Sequence, residues 1–380
     1  MACDLRRSRD LLSRLAVLAA AVATPASAQN VLLSPDTSLL WVLAINASDG
    51  TPTPFTTGAP SGFWLDMTRS VEPSTLVSPR HAMQVGSEVW ISDQGADRIH
   101  RFSAQVETPR YLGVIEGLTN PRGMTVVGDE VWISAADTPS GPGVARYSFN
   151  GVFRGSFSAS NPFSLFRISA NTVFATNIDN DRIERYAANN NVGTFMGNWG
   201  EPTSMSFPMQ MVRWTTAGSD RLLVVANSPP DEGLYQYQIP SGQFLGRLST
   251  LAVLPWISVT QPRGVAILST GEIAWSSTQG LFALNPSTGI SRTLYAAENS
   301  VCNFIEPVNF GAYCAGDLNN DRLIDNDDFL LFVQGYVDFL CPRTGDDFPA
   351  GCPADLTADE QVDNADFVLF VQGYNELLCP

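Results

Sequence analysis

Glu88-Val89-Trp90-Ile91-Ser92-Asp93 returns 42 residues later as Glu130-Val131-Trp132-Ile133-Ser134, and after a further 42 as Thr172-Val173-Phe174-Ala175-Thr176-Asn177. Looser copies stand at Leu223-Val224-Val225-Ala226-Asn227 and Glu272-Ile273-Ala274-Trp275-Ser276. Each run is too short for a helix and rich in β-branched and aromatic residues, the composition of a buried strand. About nine residues ahead of it lies an opening such as Pro79-Arg80-His81, Pro121-Arg122-Gly123 or Pro262-Arg263-Gly264, with Asn161-Pro162 and Phe207-Pro208 in matching places. Behind it come a loop and a third strand, as in Arg98-Ile99-His100-Arg101-Phe102 or Arg182-Ile183-Glu184-Arg185-Tyr186. A turn and a fourth strand complete the unit, as in Asn150-Gly151-Val152-Phe153-Arg154-Gly155.

A four-stranded unit repeating at this length cannot bury both of its faces alone; stacking copies around an axis does so, which is a β-propeller. A β-sandwich pair or a β-helix is the competing reading, and the near-constant step favours blades. Five clear units lie between residues 77 and 296, and residues 30–73 make a sixth that lacks its first strand. Asn303-Phe304-Ile305-Glu306 is the expected donor of that strand. The fold class is therefore mainly β: a six-bladed propeller over 29–311, with seven blades as the alternative, followed by a small α-helical calcium-binding domain over 312–380. The blade pattern resembles NHL-repeat and gluconolactonase-like propellers at the level of fold.

Residues 1–28 read as a signal peptide. Arg6, Arg7, Arg9 and Arg14 precede the apolar run Leu15 to Ala23, and Ala26-Ser27-Ala28 fits a cleavage site. That run is too short to span a bilayer, and no later stretch reaches the length a membrane helix needs. The expectation is a secreted or cell-surface protein. Formal net charge is −16, and from Asp317 to Pro380 there are 14 acidic residues against Arg322 and Arg343. Such density requires disorder or bound cations. An acidic surface repels phosphates, which argues against nucleic acid as a partner. The chain has no lysine, so Schiff-base chemistry is excluded.

Cys314 to Pro342 and Cys352 to Pro380 are two copies of one segment, identical at 17 of 29 positions. In the first, oxygen ligands fall at loop positions 1, 3, 5, 9 and 12: Asp317, Asn319, Asp321, Asp325 and Asp328, with the Leu323 carbonyl at position 7. In the second they are Asp355, Thr357, Asp359, Asp363 and Asp366, with the Gln361 carbonyl. A hard cation such as Ca²⁺ takes six to eight oxygens, and this alternation wraps a loop around one ion. Behind each loop runs an apolar stripe at helical spacing, Phe329, Phe332, Val333 and Tyr336, then Phe367, Phe370, Val371 and Tyr374.

These loop-helix copies resemble type I dockerins, the modules that bind cohesins in bacterial polysaccharide-degrading assemblies. The resemblance covers about a sixth of the chain. It implies two calcium ions, folding coupled to metal, and a protein partner such as a cohesin-like protein or cell-surface scaffold. Three departures stand out. Loop position 6, usually Gly, is Arg322 and Glu360; position 3 of the second loop is neutral Thr357; and positions 10 and 11 are Asn326-Asp327 and Asn364-Ala365 in place of Ser-Thr. The second site is expected to be the weaker.

Cys302, Cys314, Cys341, Cys352 and Cys379 cluster near the C-terminus, where an exported chain uses disulfides. Two symmetric schemes fit, Cys314–Cys341 with Cys352–Cys379, or Cys341–Cys352 with Cys314–Cys379. The second is preferred, and either leaves Cys302 over. In the propeller, Asp93, Asn177 and Asn227 end second strands, where gluconolactonase-like propellers hold a metal; capping of turns is the favoured reading. His100, on a third strand without a partner motif, is expected at the surface or in the core. Arg80, Arg122 and Arg263 recur at one blade position, and hydrogen bonding between blades is favoured over a channel lining. No G-x-S-x-G element is present, so a serine hydrolase lacks its residues. Two functions stay open: a non-catalytic recognition propeller docked by the C-terminal module, with carbohydrate as a candidate ligand, and a lactonase or carbohydrate-active enzyme targeted by it.

Overall fold

A strand buried on both faces must meet a neighbour on each, and here the neighbours belong to adjacent blades. The computed structural model describes residues 29–53, 62–66, 76–104, 109, 111–139, 141–188, 193–216 and 218–310. In the C-terminal segment it describes 329, 330, 332, 333, 336, 362–364, 366–368, 370 and 371. The leader over 1–28 lies outside the described residues.

Six blades form the ring. The second consists, from axis to rim, of Pro79–Val85, Glu88–Asp93, Arg98–Ser103 and Tyr111–Ile115. The third is Thr119–Val127, Glu130–Thr138, Gly141–Ser148 and Phe153–Ser158. Pro162–Ser169, Thr172–Asn177, Arg182–Ala187 and Thr194–Trp199 make the fourth, and Pro208–Thr216, Ser219–Ala226, Gly233–Gln238 and Phe244–Leu248 the fifth. A short hairpin, Ala252–Val253 with Ser258–Val259, leads to the sixth: Gly264–Ile267, Ile273–Asn285 and Ile290–Val301. Ile273–Asn285 supplies both middle strands of that blade. Its first part pairs with Gly264–Ile267 and its second with Ile290–Val301, yet the Trp275 and Phe282 ring centroids are 4.6 Å apart. Seven residues of straight strand would separate them by about 23 Å. The chain doubles back at Gln279 and Gly280, at φ 77° and 148°.

The first blade closes the circle. Gln29–Asp36, Trp41–Asn46 and Phe63–Asp66 come from the start of the propeller, and Glu306–Phe310 from its end pairs antiparallel with Gln29–Asp36. The donated strand begins where the expected donor ends, at Glu306, and Asn303 to Ile305 lead into it.

The Glu-Val-Trp-Ile-Ser run is legible residue by residue. Alternate side chains leave a strand on opposite faces, so Val89 and Ile91 join the core shared with the first blade, while Trp90 joins the core shared with the third. Val131 and Ile133 face back and Trp132 forward in the same way. Trp275 sits one position later in its run and faces back, toward the fifth blade. Glu88 accepts the Trp90 indole N–H at 2.7 Å and a bidentate Arg101 at 2.7 and 2.6 Å. Ser92 ties its blade to the next: its Oγ accepts from the His81 N–H and donates to the Arg122 carbonyl at 2.5 Å. Ser134 repeats this with the Gly123 N–H and the Phe163 carbonyl. Where the fifth blade has Ala226 at that place, the Asn227 Nδ2 donates to the Pro262 carbonyl at 3.0 Å.

In the C-terminal segment Phe329, Leu330, Phe332, Val333 and Tyr336 are helical, as are Asn364, Asp366 to Val368, Phe370 and Val371. Phe332 and Phe370, equivalent in the two copies, stack at 4.7 Å. Phe329 against Phe370 at 6.1 Å is matched by Phe367 against Phe332 at 5.9 Å, so the contacts obey a pseudo-twofold relation. Tyr336 Oη donates to Asn364 Oδ1 at 2.8 Å. Among the described residues no helix is long and apolar enough to cross a membrane.

Candidate functional site

Each inner strand enters the ring at the same end of the axis, and the residue after its opening proline belongs to that mouth. These residues are Arg80, Arg122, Phe163, Met209 and Arg263 on blades two to six. Asn303 takes the place on the first blade, since Cys302 bridges Asp36 there as Pro79 pairs with Asp93. Arginines therefore occupy blades six, two and three with Asn303 between them, and Phe163 and Met209 fill the remaining arc. The glycine that follows Arg122 and Arg263 has a packing cause. A Cβ at Gly123 would stand 2.7 Å from Ser164 Cα, and one at Gly264 would stand 2.4 Å from the Asn303 carbonyl. Inner strands approach too closely there for any side chain.

Arg80 Nη1 donates to Asn303 Oδ1 at 2.6 Å, and Arg263 Nη1 donates to the same oxygen at 3.3 Å. Asn303 is fully buried, and its Nδ2 is held by the Pro79 and Val301 carbonyls, so the amide oxygen is turned toward the two guanidinium groups. Arg80 also donates to Gln94 Oε1. Gln94 in turn donates to Asn120 Oδ1, which accepts from Arg122 Nε at 3.0 Å. Arg122 Nη1 reaches Asn161 Oδ1 at 2.6 Å and the Pro162 carbonyl at 3.1 Å on the fourth blade. The Arg80 and Arg122 guanidinium carbons lie 5.7 and 5.1 Å from the centre of the Phe163 ring. Burial, then repulsion from Arg263 and Arg122, lowers the Arg80 pKa to about 9. Arg122 and Arg263 are lowered by burial too.

One residue further in, His81 and Gln210 reach toward Glu306. His81 Nδ1 accepts the Met124 N–H at 3.0 Å, which leaves the Nε2 hydrogen for Glu306 Oε2 at 3.3 Å. Gln210 accepts the N–H groups of Val265 and Ile305 and donates to the Ile305 carbonyl at 2.7 Å. It spans three blades.

The carboxylate and amides at second-strand ends do not converge. Asp93 accepts the N–H groups of Val77 and Ser78 at 2.7 and 2.8 Å and of Gly95 and Ala96 at 3.1 Å, with the buried His100 Nε2 3.4 Å away. Burial alone would raise the Asp93 carboxyl; His100 and the Val77 and Ser78 N–H groups outweigh it and hold the pKa below its ordinary value. Asn177 caps its own turn and donates to Glu184, and Asn227 is spent on Pro262. Among the described residues no three His, Cys, Asp or Glu side chains gather as a metal site.

Of the expected calcium ligands, Asp363 and Asp366 are described; Asp317, Asn319, Asp321, Leu323, Asp325, Asp328, Asp355, Thr357, Asp359 and Gln361 lie outside the described residues. Asp366 is fully buried, and its Oδ2 accepts the Asp363 N–H at 2.8 Å, while the Asp363 carbonyl accepts the first helical N–H from Phe367. That is one half of a capping box. Carboxylate oxygens are the donors a hard cation takes, so Asp363 and Asp366 have the right chemistry to hold one. Cys302 is a free, buried thiol beside Ser300, and burial raises its pKa. Cys314, Cys341, Cys352 and Cys379 are outside the described residues.

No protein-family model matches the sequence, and no curated protein matches it. Solved structures align with it at low identity. A chain of the nidogen/laminin complex aligns at TM-score 0.51 with 13% identity, over 73% of this chain and 98% of that one. A protein of unknown function from Bacteroides caccae aligns at 0.50 with 12% identity, over 74% and 99%. A candidate 6-phosphogluconolactonase from Bacteroides fragilis aligns at 0.46 with 11% identity, over 75% and 99%, too distant to bear on chemistry. At such identity the likeness establishes the fold and nothing about ligands.

Proline-arginine openings were visible in the sequence, and Asn303 and Glu306 were expected only as part of the closing segment; Gln94 and Gln210 carried no signal. Asn303 comes from the segment that leads into the closing strand and Gln94 from a turn, and no local pattern pairs either with an arginine on an inner strand.

Proposed function

We propose that this is a secreted recognition protein in which the propeller mouth binds a ligand and the C-terminal module, ordered by two calcium ions, docks to a cohesin-like protein or cell-surface scaffold. The pseudo-twofold packing of Phe329, Phe332, Phe367 and Phe370 carries the reading. The helices behind the two loops bury Phe332 and Phe370 against each other, and Asp366, at position 12 of the second loop, is buried. Asp317, Asn319, Asp321, Asp325, Asp328 and the Leu323 carbonyl would hold one ion. Asp355, Thr357, Asp359, Asp363, Asp366 and the Gln361 carbonyl would hold the other. The metal would supply the charge that lets these oxygens converge, so that binding and folding are linked. That a structural neighbour comes from a complex with laminin suits a propeller used for protein recognition.

Calorimetric titration of calcium into the metal-stripped full chain tests this. Two sites of unequal affinity are expected, with helical ellipticity rising on saturation. Asp355→Ala should remove the weaker site and leave the stronger. An absence of heat and of any ellipticity change would rule the module out.

A further inference from the structure

Three guanidinium groups share one mouth with no carboxylate hydrogen-bonded to any of them among the described residues. Every protein acceptor is neutral: Asn303, Gln94, Asn120 and Asn161 side chains and the Pro162 carbonyl. Asp179 is one residue removed, accepting from Asn161 Nδ2 at 2.7 Å, and it is exposed. Glu306 is engaged with His81 and Gln210. Asp93 is engaged with His100 and its turn, and Asp36 with Ser300 and the Val301 N–H. Blade stitching alone does not account for the charge, because a glutamine in place of Arg263 could make the same single bond to Asn303. Like charges brought together out of water are costly unless an anion joins them.

We propose that Arg80, Arg122 and Arg263 form a binding site for an oxyanion, a carboxylate, sulfate or phosphate group at the end of a small ligand. Arginine's planar fork matches such groups through paired N–H donors. Arg263 offers most of its donors, since it makes one side-chain hydrogen bond to the protein, and Arg80 and Arg263 are both partly exposed. Arg122 at 6% and Phe163 at 4% exposure lie beneath them.

The inference rests on the propeller being a recognition domain but not on calcium, so the test is run on the full chain with chelator present. Inorganic sulfate, inorganic phosphate and glucuronate are each titrated calorimetrically, with sodium chloride at matched ionic strength as reference. At least one should bind with measurable heat and raise the propeller melting temperature above the chloride reference, and which one does so names the group. Arg263→Gln should weaken that binding at least tenfold and leave the ligand-free melting temperature unchanged or higher, because a repulsion is relieved. Arg263→Lys should retain an intermediate affinity. Equal responses to chloride and to all three oxyanions would overturn the proposal. So would wild-type affinity in Arg263→Gln, or a lowered ligand-free melting temperature in that variant with no anion effect in either protein. Failure of the calcium titration would leave this site standing, and failure here would leave the docking module standing.

Discussion

Asp93 shows how one side chain at a strand end holds two segments. Its carboxylate accepts from its own turn and from Val77 and Ser78, which lead into the inner strand of the same blade. Asp36 does the same on the first blade, accepting from Ser38, Leu39 and Val301. Hydrogen bonds to a charged partner are worth about 1.5–3 kcal/mol, so Asp93→Asn should cost about that much at neutral pH in urea unfolding. The Asp93 pKa is depressed in the fold. Its stabilisation is therefore complete above the unfolded-state value, about 3.9, and is lost as pH falls through the lower native value. The stability gap between wild type and Asp93→Asn should stay constant from pH 8 to 5 and close below about pH 4. A gap unchanged at about pH 2.5 would mean that the charge is not what matters.

Two glycines differ sharply in what a Cβ would meet. At Gly123 it meets the backbone of the neighbouring inner strand at 2.7 Å; at Gly271, with φ 83°, it meets nothing within 4 Å. Gly123→Ala must push two blades apart, and overpacking of this kind costs about 1–3 kcal/mol or more. Gly271→Ala carries only the left-handed penalty of about 1–2 kcal/mol. Thermal melts should therefore rank Gly123→Ala below Gly271→Ala, with oxyanion binding disturbed in the former alone because Arg122 is its neighbour. An equal loss in both variants would show that the inner strands have slack. The alternation within Glu-Val-Trp-Ile-Ser was readable in advance; which neighbour each face meets was not, and Trp275 faces the blade opposite to the one its resemblance to Trp90 implied.

The ring as a whole depends on Glu306–Phe310, which joins the end of the propeller to its beginning. Truncation after residue 311 should leave a cooperative propeller transition close to that of the full chain in chelator. Truncation after residue 304 strips the first blade of its inner strand and exposes Val31, Leu33 and Trp64; it should abolish cooperative melting and produce an aggregating species. Calorimetric scans of both truncations decide this. A cooperative transition in the shorter one would mean that closure is dispensable.

By itself the sequence determined the blade repeat, the strand runs within it and the duplicated acidic segment with its two apolar stripes, because each is written as a local period; the structure settled six blades over seven. Only the tertiary structure decided where the closing strand begins, that Gln210 and Asn303 tie distant blades together, and that Arg80 and Arg263 share the Asn303 amide while Arg122 turns to Asn120 and Asn161. The reason is geometric. A residue's own strand dictates its face, but a mouth assembled from six blades brings together positions separated by up to about 220 residues, and no local signal records that they will share a space.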